Sequence, residues 1–207
     1  MTYTIRIVCF LMYLLCVIIL FMFTLPIQLA ISLCILVTSG TSIIFSQKRV
    51  GKNGKIFTMY KFRTMVRGAQ AQQKNLKKLN EANGPVFKLY NDPRYTRFGK
   101  FLAHTGLDEL PQLYNILAGD MALLGPRPLP RAEEQKLAPW QKAREQIKPG
   151  IISPWILEGY HRTTFDAWMR SDIAYTKNKN FLYDLRLFVR MTGYMGSLLV
   201  HEIAGMV

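Results

Sequence analysis

The sequence has few acidic residues, few cysteines and no internal repeat. It contains 13 Asp and Glu against 27 Lys and Arg, which gives a formal net charge of +14. An excess of this size argues against cationic partners and indicates anionic ones, such as lipid headgroups, phosphorylated substrates or nucleic acid. The three cysteines, Cys9, Cys16 and Cys34, are spaced for neither a zinc site nor a disulfide framework.

Charge is also missing from one long stretch. No charged residue lies between Ile7 and Gln47, and residues 7–37 are almost entirely apolar. A secretory signal peptide has an apolar core of only about 7–15 residues, so the stretch is too long for one. As one straight helix, residues 7–37 would extend roughly 46 Å, against a hydrocarbon core of about 30 Å. The sequence therefore predicts a membrane helix that tilts or bends.

Pro26 lies near the middle of this helix, where it removes a backbone hydrogen bond, and Thr24 and Gln28 flank it. Two topologies follow: a tilted, kinked span, or a helix that breaks at Pro26 and returns to the side from which it came. Arg6 precedes the apolar segment, and four cations follow it: Lys48, Arg49, Lys52 and Lys55. Because positive flanks tend to stay in the cytoplasm, this pattern favours the re-entrant helix.

Two strand patterns follow, over residues 43–50 and 55–62, joined around Asn53-Gly54, which is typical of a β-hairpin. Alternation along the second strand places Lys61 and Arg63 on one face. These two cations could face a phosphate together. A solvated strand face is the alternative interpretation.

The region from Lys48 to Lys100 is strongly basic, with fourteen Lys and Arg against two acidic residues. Each cation near an anionic leaflet contributes about 1 kcal/mol to membrane binding. Nucleic-acid binding would explain the same charge, but no RNP, KH or zinc-finger pattern is present. We therefore expect anionic lipid, and no nucleic acid, as the partner of this surface.

Two adjacent carboxylates, Asp108 and Glu109, begin an apolar-periodic segment. An aspartate in the first turn of a helix is favoured in its ionised, nucleophilic form, and carboxylates can attack phosphorus. The alternative is a capping box formed by Thr105 and Asp108, although Pro111 fits a helix only if that helix begins near Asp108. Spacing alone leaves catalysis and capping open.

Several motifs, in this order along nearly the whole chain, resemble the bacterial sugar transferase family, the monotopic polyprenyl-phosphate phosphoglycosyl transferases. The motifs are Gln47-x-Arg49-x-Gly51, Tyr60-Lys61-Phe62-Arg63-Thr64-Met65, Gly84-Pro85-Val86-Phe87-Lys88, Asp92-Pro93-Arg94-x-Thr96-Arg97-x-Gly99, Leu107-Asp108-Glu109-Leu110-Pro111-Gln112-Leu113, Gly119-Asp120-Met121, Gly125-Pro126-Arg127-Pro128 and Lys148-Pro149-Gly150.

The resemblance implies an enzyme that moves a sugar phosphate from a UDP-sugar to polyprenyl (undecaprenyl) phosphate, releases UMP and begins a surface glycan or exopolysaccharide. It implies that Asp108 is the nucleophile of a covalent phosphosugar intermediate, and that Glu109, together with Asp108, binds Mg²⁺. Lys61 and Arg127 match substrate-binding residues of the family. We add Arg63 to that set because of its position on the strand.

The predicted fold is α+β. Residues 1–40 form the re-entrant membrane helix broken at Pro26. Residues 41–207 form a small mixed α/β cytoplasmic domain with a β-hairpin and amphipathic interfacial helices. The resemblance places this monotopic protein on the cytoplasmic face of a bacterial inner membrane, with downstream glycosyltransferases or a second copy of the chain as further candidate partners.

Three positions depart from the family pattern. Ala103 and Gly106 replace an arginine and a serine that are common there, with Lys100 or His104 as candidate replacements for the missing phosphate ligand. The segment from Trp155 to Arg162 is altered, and Leu25 precedes Pro26 where the family typically has serine, which leaves Thr24 as the nearest hydroxyl. The loss at Ala103 motivates an alternative function, a non-catalytic membrane protein of the same fold that binds a nucleotide sugar or a partner glycosyltransferase.

Overall fold

The computed structural model describes residues 3–40, 42–157 and 164–205. One long helix is followed by a domain of short helices and two small two-stranded sheets, so the predicted α+β class is confirmed. The altered residues Glu158 to Arg162 lie outside the described residues. The helices and strands are α1 (Tyr3–Ser39), β1 (Ile44–Val50), β2 (Ile56–Phe62), α2 (Ala69–Gln72), α3 (Arg97–Thr105), α4 (Gln112–Leu117), β3 (Ala122–Leu124), α5 (Arg131–Glu134), β4 (Gly150–Ile152), α6 (Pro154–Leu157), α7 (Phe165–Asn178) and α8 (Phe181–Ala204).

Helix α1 has 37 residues and, by length and composition, is the one helix in the described ranges that could cross a membrane. Its apolar side chains are largely uncovered, with Phe23 at 77% and Val37 at 78% exposure. An apolar surface of this extent requires lipid or another apolar partner. The predicted membrane helix therefore agrees with the structure in position and character.

The helix continues through Pro26. Two residues before it, the Thr24 hydroxyl donates to the carbonyls of Leu20 at 2.9 Å and Phe21 at 3.1 Å, and the Gln28 amide donates to Thr24 Oγ1 at 3.1 Å. These side chains bond within the helix, as expected around a proline in an apolar setting. The break at Pro26 and the return of the chain stay predictions.

The domain packs against α1 through two separate apolar clusters. Val17, on the N-terminal side of Pro26, belongs to the first, with Phe57, Met59, Leu113, Ile116 and Met121. Ile31 and Ile35, on the C-terminal side, belong to the second, with Phe62 and Leu102. The helix is thus part of the core of the domain along much of its length.

Strands β1 and β2 form the predicted antiparallel hairpin, with Ile44 opposite Phe62 and Val50 opposite Ile56. Asn53 at φ 54° and Gly54 at φ 77° make the left-handed turn that such a connection needs. Phe57 and Met59 are buried, which orients the strand so that its later residue Lys61 reaches the domain interior.

Strands β3 and β4 form a short parallel pair that the sequence does not predict, in which Ala122 lies opposite Gly150 and Leu124 opposite Ile152. Directly after this pair, Gly125 approaches Gly150 so closely that a Cβ on Gly150 would lie 2.1 Å from the Gly125 nitrogen. Glycine at both positions therefore lets the loop after β3 lie against the start of β4.

The C-terminal part forms two helices. Helix α7 and the short α6 enclose a third cluster built around Trp155 and Trp168, whose rings stack 4.2 Å apart. Helix α8 buries Leu187 and Met191 but exposes Phe181 at 82% and Val189 at 60%. It therefore has apolar residues on two faces, and its predicted place in the bilayer interface stays a prediction.

Asn115 joins helix α4 to the free edge of the hairpin. Its Oδ1 accepts from the Tyr60 N–H at 3.0 Å, its Nδ2 donates to the Thr58 carbonyl at 2.7 Å, and the residue is 1% exposed. The amide side chain thus takes the part of a neighbouring strand. Because both backbone groups are covered, each would be left unsatisfied without it.

We expect Asn115→Leu to lower the free energy of unfolding by about 2–4 kcal/mol, since one backbone donor and one acceptor lose their partners. Urea unfolding of the detergent-solubilised protein measures the change. Asn75→Leu is the matched control, because Asn75 is exposed and surface changes stay within about 0.5 kcal/mol. Equal effects of the two variants would contradict this assignment.

Candidate active site

The two adjacent carboxylates lie on a 3₁₀ turn, Leu107–Glu109, between α3 and α4. Gly106 ends α3 in a left-handed conformation at φ 71° and begins this turn. A Cβ there would lie 2.6 Å from Met195 Cε of α8. Glycine therefore suits the left-handed backbone angle at the residue that aims Asp108 and Glu109, whereas Met195 could move to make room for a side chain.

The capping-box interpretation of this turn is wrong. The Thr105 hydroxyl donates back into its own helix, to the Phe101 carbonyl at 2.8 Å. The N-terminal cap of α4 is Pro111, three residues beyond Asp108. Asp108 instead accepts from a lysine on the hairpin.

That lysine is Lys61, whose Nζ lies 3.3 Å from Asp108 Oδ2. The Asp108 side chain is 6% exposed and that of Lys61 24%. Burial raises the pKa of the Asp108 carboxyl, the positive charge of Lys61 opposes that rise, and the neighbouring Glu109 adds to it. The structure therefore holds a poorly solvated carboxylate against one nearby cation.

Glu109 faces a different cation. Its Oε1 lies 2.8 Å from Nη1 of Arg127, which comes from the loop after β3. The negative charge of Glu109 raises the pKa of the Arg127 guanidinium, so the arginine stays charged. Three of the predicted site elements, the carboxylate pair, Lys61 and Arg127, thus meet in one place although they lie far apart in sequence.

Arg63 goes elsewhere. Its Nε donates to the Ser42 carbonyl at 2.7 Å, at the start of the hairpin. The strand alternation that grouped it with Lys61 describes only the direction of the side chain at the backbone. A role for Arg63 in substrate binding stays a prediction.

His104, the neighbour of Ala103, is bonded through both ring nitrogens. Nδ1 lies 2.9 Å from Glu202 Oε1 and Nε2 lies 3.2 Å from the Tyr90 carbonyl, and the ring stacks on that of Tyr90 at 4.6 Å. Lys100 is exposed on α3. In this arrangement His104 does not replace the missing arginine as a phosphate ligand.

A cavity of about 640 Å³ opens beside Arg127. Aromatic side chains form much of its wall, and the cations Arg49 and Lys88 line it together with Arg127. The aromatic residues are Phe87, Tyr90, Tyr95, Trp155, Phe165 and Trp168. Such a combination suits a ligand with a flat ring and a negative charge.

Several basic side chains lie close together in the cavity, and their repulsion affects their pKa values. Burial, followed by repulsion from Arg127, lowers the pKa of Lys88 to about 6 and that of Arg49 to about 10. Burial also raises the pKa of the Glu133 carboxyl. An anion bound near these cations would relieve their repulsion, so the electrostatics favour an anionic ligand.

Among the residues that line the cavity, sequence reasoning gave a substrate-binding role to Arg127 alone. Arg49 and Lys88 stand in recognisable motifs, but their place beside Arg127 depends on a strand, a loop and a turn that are distant in sequence. The aromatic residues show no common spacing that could group them. The motifs themselves were the one signal from which these two cations could have been selected.

The carboxylate pair has the donor chemistry that Mg²⁺ needs. No cluster of three or more His, Cys, Asp or Glu that could hold a metal occurs within the ranges that the structure describes. Mg²⁺ commonly takes only one or two protein carboxylates and completes its shell with substrate phosphates and water. Asp108 and Glu109, adjacent on one turn, fit that smaller set.

Comparison with known proteins gives a consistent assignment. The family model described as bacterial sugar transferase matches residues 5–196. Galactosyl transferase CpsE of Streptococcus agalactiae is 43% identical over 151 residues, which cover 72% of this chain and 34% of CpsE. The undecaprenyl-phosphate galactose phosphotransferase of Salmonella typhimurium is 38% identical over 159 residues, 73% of this chain and 33% of the relative.

A third relative, the UDP-galactose-lipid carrier transferase of Erwinia amylovora, is 34% identical over 158 residues, 74% of this chain and 33% of the relative. The chain thus spans about a third of the length of these three relatives.

The raised pKa of Asp108 predicts an effect on stability. Because the folded protein binds a proton at Asp108 more tightly than the unfolded chain does, ionisation costs stability once the pH exceeds the ordinary aspartate range. We expect Asp108→Asn to raise Tm at pH 7 by roughly 2–4 °C and to lose that advantage toward pH 4. Thermal unfolding at both pH values measures it.

Asp120→Asn is the control, since Asp120 pairs with Lys55, whose side chain is 77% exposed, and surface pairs contribute little. A lower Tm for Asp108→Asn at pH 7 would show that the Lys61 pair outweighs the cost of burial.

Proposed function

This chain belongs to the bacterial sugar transferase family, and on that premise we propose that it transfers a sugar phosphate from a UDP-sugar to undecaprenyl phosphate. The observation that carries the proposal is the pair Asp108 and Glu109, each facing one cation, beside a cavity that Arg127 also lines. The names of relatives that act on undecaprenyl phosphate and UDP-galactose support it.

The first step is attack by an Asp108 carboxylate oxygen on the phosphorus that carries the sugar. A bond forms between that oxygen and phosphorus, the bond from phosphorus to the bridging oxygen breaks, and UMP leaves with the electron pair. Lys61, 3.3 Å from Asp108, and Arg127 neutralise charge that would otherwise repel the attacking carboxylate. Covalent storage on Asp108 lets a soluble donor and a lipid acceptor use one site in turn.

In the second step, a phosphate oxygen of undecaprenyl phosphate attacks the same phosphorus. The acyl-phosphate bond to Asp108 breaks and its electron pair returns to the carboxylate. The product is undecaprenyl diphosphate sugar, and the enzyme regains its starting state. Such a product would begin a surface glycan such as an exopolysaccharide.

Glu109 and Asp108 would hold Mg²⁺, which when bound would neutralise the diphosphate of the donor. Each carboxylate uses one named oxygen in its ion pair, Oδ2 of Asp108 and Oε1 of Glu109. The Arg127 guanidinium is placed to bind a donor phosphate when the Glu109 contact is exchanged.

The cavity beside Arg127 is our candidate for the nucleotide part of the donor. Its aromatic wall offers an apolar surface for the base, and an anion bound beside Arg49 and Lys88 would raise the lowered pKa of Lys88 and so favour its charged form. Its volume, about 640 Å³, falls in the ordinary range for a small-molecule site. The sugar would then lie between the cavity and Asp108.

Contacts along α1 support the re-entrant topology. Val17 and Ile35, both buried against the same domain, lie 18 residues apart, roughly 27 Å along a helix. That distance is nearly the thickness of the hydrocarbon core, about 30 Å. A straight span would draw this charged domain into the bilayer, whereas a helix that returns keeps both contact sites at one surface, on the cytoplasmic face.

The alternative function is a non-catalytic protein that binds a nucleotide sugar. Ala103 and the engagement of His104 with Glu202 and Tyr90 favour it, because a phosphate ligand of the family has no replacement at these two positions. The intact carboxylate pair with its two cations favours catalysis. The two functions differ in whether Asp108 forms a bond.

We expect the purified protein to release UMP from one UDP-sugar in an Mg²⁺-dependent manner, and to do so over repeated turnovers only when undecaprenyl phosphate is present. A panel that begins with UDP-galactose identifies the donor. Asp108→Asn should abolish release, and Lys61→Met should reduce it roughly 100-fold, with partial recovery in Lys61→Arg. Mass spectrometry of protein mixed with donor and Mg²⁺, without undecaprenyl phosphate, should show one sugar phosphate added at Asp108.

Full release by Asp108→Asn would overturn the covalent mechanism. Donor binding without release across the whole panel would establish the alternative function. The acid limb of the pH profile should also move to higher pH in Lys61→Met, because loss of the cation raises the pKa of Asp108 further.

Membrane topology can be tested with single cysteines in a variant whose Cys9, Cys16 and Cys34 are replaced by alanine. A cysteine in place of Tyr3, which is 81% exposed, reports on the N-terminal end of α1, and one in place of Lys55 reports on the domain that follows it. For a re-entrant helix, we expect a membrane-impermeant maleimide to label neither site in intact spheroplasts and both in inside-out vesicles. Labelling at position 3 in spheroplasts would show that α1 crosses the membrane.

A further inference from the structure

Two arginines bind successive backbone carbonyls of the loop that carries Arg127. Arg144 Nη2 donates to the Arg127 carbonyl at 2.5 Å, and Arg49 Nη1 donates to the Pro128 carbonyl at 2.9 Å. Arg49 comes from β1 and Arg144 from the 3₁₀ segment Pro139–Gln146. The carbonyls of Arg127 and Pro128 are therefore both held by charged donors from distant parts of the chain.

Arg144 is itself fixed by a buried carboxylate. Its Nε and Nη2 lie 3.0 and 2.6 Å from Asp172 Oδ2, and the Ser153 hydroxyl donates to Asp172 Oδ1 at 3.1 Å. Arg144 is 4% exposed and Asp172 0%. Only a planar guanidinium can serve the carboxylate and the Arg127 carbonyl together in this geometry, so lysine would not substitute.

Burial of these charges is costly. A buried ion pair often contributes no more stability than apolar residues of the same volume, so Arg144 and Asp172 need a reason other than stability. Arg49 is also unfavourably placed, since burial and the nearby Arg127 lower its pKa to about 10. A positioning role for the loop supplies the reason.

The remaining backbone of the loop is anchored as well. The Gly125 N–H donates to the Ile152 carbonyl at 2.9 Å, the Gly150 N–H donates to the Pro126 carbonyl at 3.0 Å, and the Val50 N–H donates to the Leu129 carbonyl at 3.0 Å. With the backbone fixed from both sides, the side chain of Arg127 keeps the main freedom. It reaches Glu109 at 2.8 Å.

We propose that Arg49 and Arg144, the latter through Asp172, are positioning residues that hold the Gly125–Pro128 loop so that Arg127 meets Glu109 and the donor phosphate. The proposal rests on the proposed function for the part that concerns the donor. In this scheme Arg144 and Asp172 lie behind the loop and act through Arg127 alone. They set where its charge lies before substrate binds.

The decisive variant replaces the buried pair together, as Arg144→Met with Asp172→Leu. A single change would leave one charge buried without its partner and could unfold the protein, whereas the double change keeps volume and removes both charges. We expect the double variant to fold but to lose roughly 10- to 100-fold in kcat/KM for the donor, the usual loss when a supporting residue is removed. The single variant Arg144→Lys should also fall below the kcat/KM of the wild type, because lysine keeps the charge but not the planar guanidinium.

The matched control is Lys142→Met with Glu134→Gln. Lys142 stands on the same 3₁₀ segment and pairs with Glu134 at 3.0 Å, but its side chain is 49% exposed. This variant should keep the kcat/KM of the wild type. A comparable loss in the control would mean that the 3₁₀ segment as a whole is needed, and not the contact of Arg144 and Asp172 with the loop.

A double-mutant cycle with Arg127→Ala shows whether the pair acts through Arg127. If it does, adding Arg144→Met and Asp172→Leu to Arg127→Ala should cost little more than Arg127→Ala alone. Losses that multiply would overturn the proposal. The same cycle with Arg49→Met tests the second arginine.

Amide hydrogen exchange provides a measurement that does not need activity. In the double variant, two amides should exchange faster than in the wild type: that of Gly150, which donates to the Pro126 carbonyl of the loop, and that of Val50, which donates to the Leu129 carbonyl directly after it. Amides within the hairpin, such as that of Met59, should not change. Unchanged exchange at both Gly150 and Val50 would overturn the proposal that Arg144 and Asp172 hold the loop, even if activity fell. An inactive wild type would count against the proposed function, and the exchange result would still decide whether Arg144 and Asp172 hold the loop.

Discussion

The site depends on one constraint, the burial of Asp108 beside the half-buried Glu109 on a single turn. Asp108 is 4% exposed, and a carboxylate that has lost its water is stable in its ionised form only if cations replace the solvent. Lys61 supplies a cation to Asp108, and Arg127 supplies one to Glu109. Under the proposed function, these fixed charges would lower the reorganisation needed when a diphosphate donor binds.

Lys61 and Arg127 are positioned by different parts of the structure. Lys61 stands near the end of the hairpin, and Asn115 fixes that strand to the helix that follows Asp108. Arg127 stands on a loop that begins where two glycines touch and whose carbonyls are held by Arg49 and Arg144. Rigidity on both sides keeps distances near 3 Å at a site where a small displacement would be costly.

Helix α1 also packs against the elements that carry the site. Its residues Val17, Ile31 and Ile35 lie in the cores that also contain the hairpin and α3. An apolar helix that is part of the core of the domain fixes the height of Asp108 relative to the lipid surface. For a lipid acceptor, that height decides whether its phosphate can reach the carboxylate.

Local pattern was enough for much of the fold and for half of the site. The uncharged stretch around Pro26 predicted α1, the turn at Asn53-Gly54 predicted the hairpin, and the motifs predicted Asp108, Glu109, Lys61 and Arg127, because each signal lies within a few consecutive residues.

Tertiary structure alone decided the parallel β3–β4 pair, the cavity, the bond from Arg63 to Ser42 and the two arginines behind the loop. These features join residues that are distant in sequence, and their geometry follows from which apolar faces pack together. Periodicity along the chain carries no information about that packing.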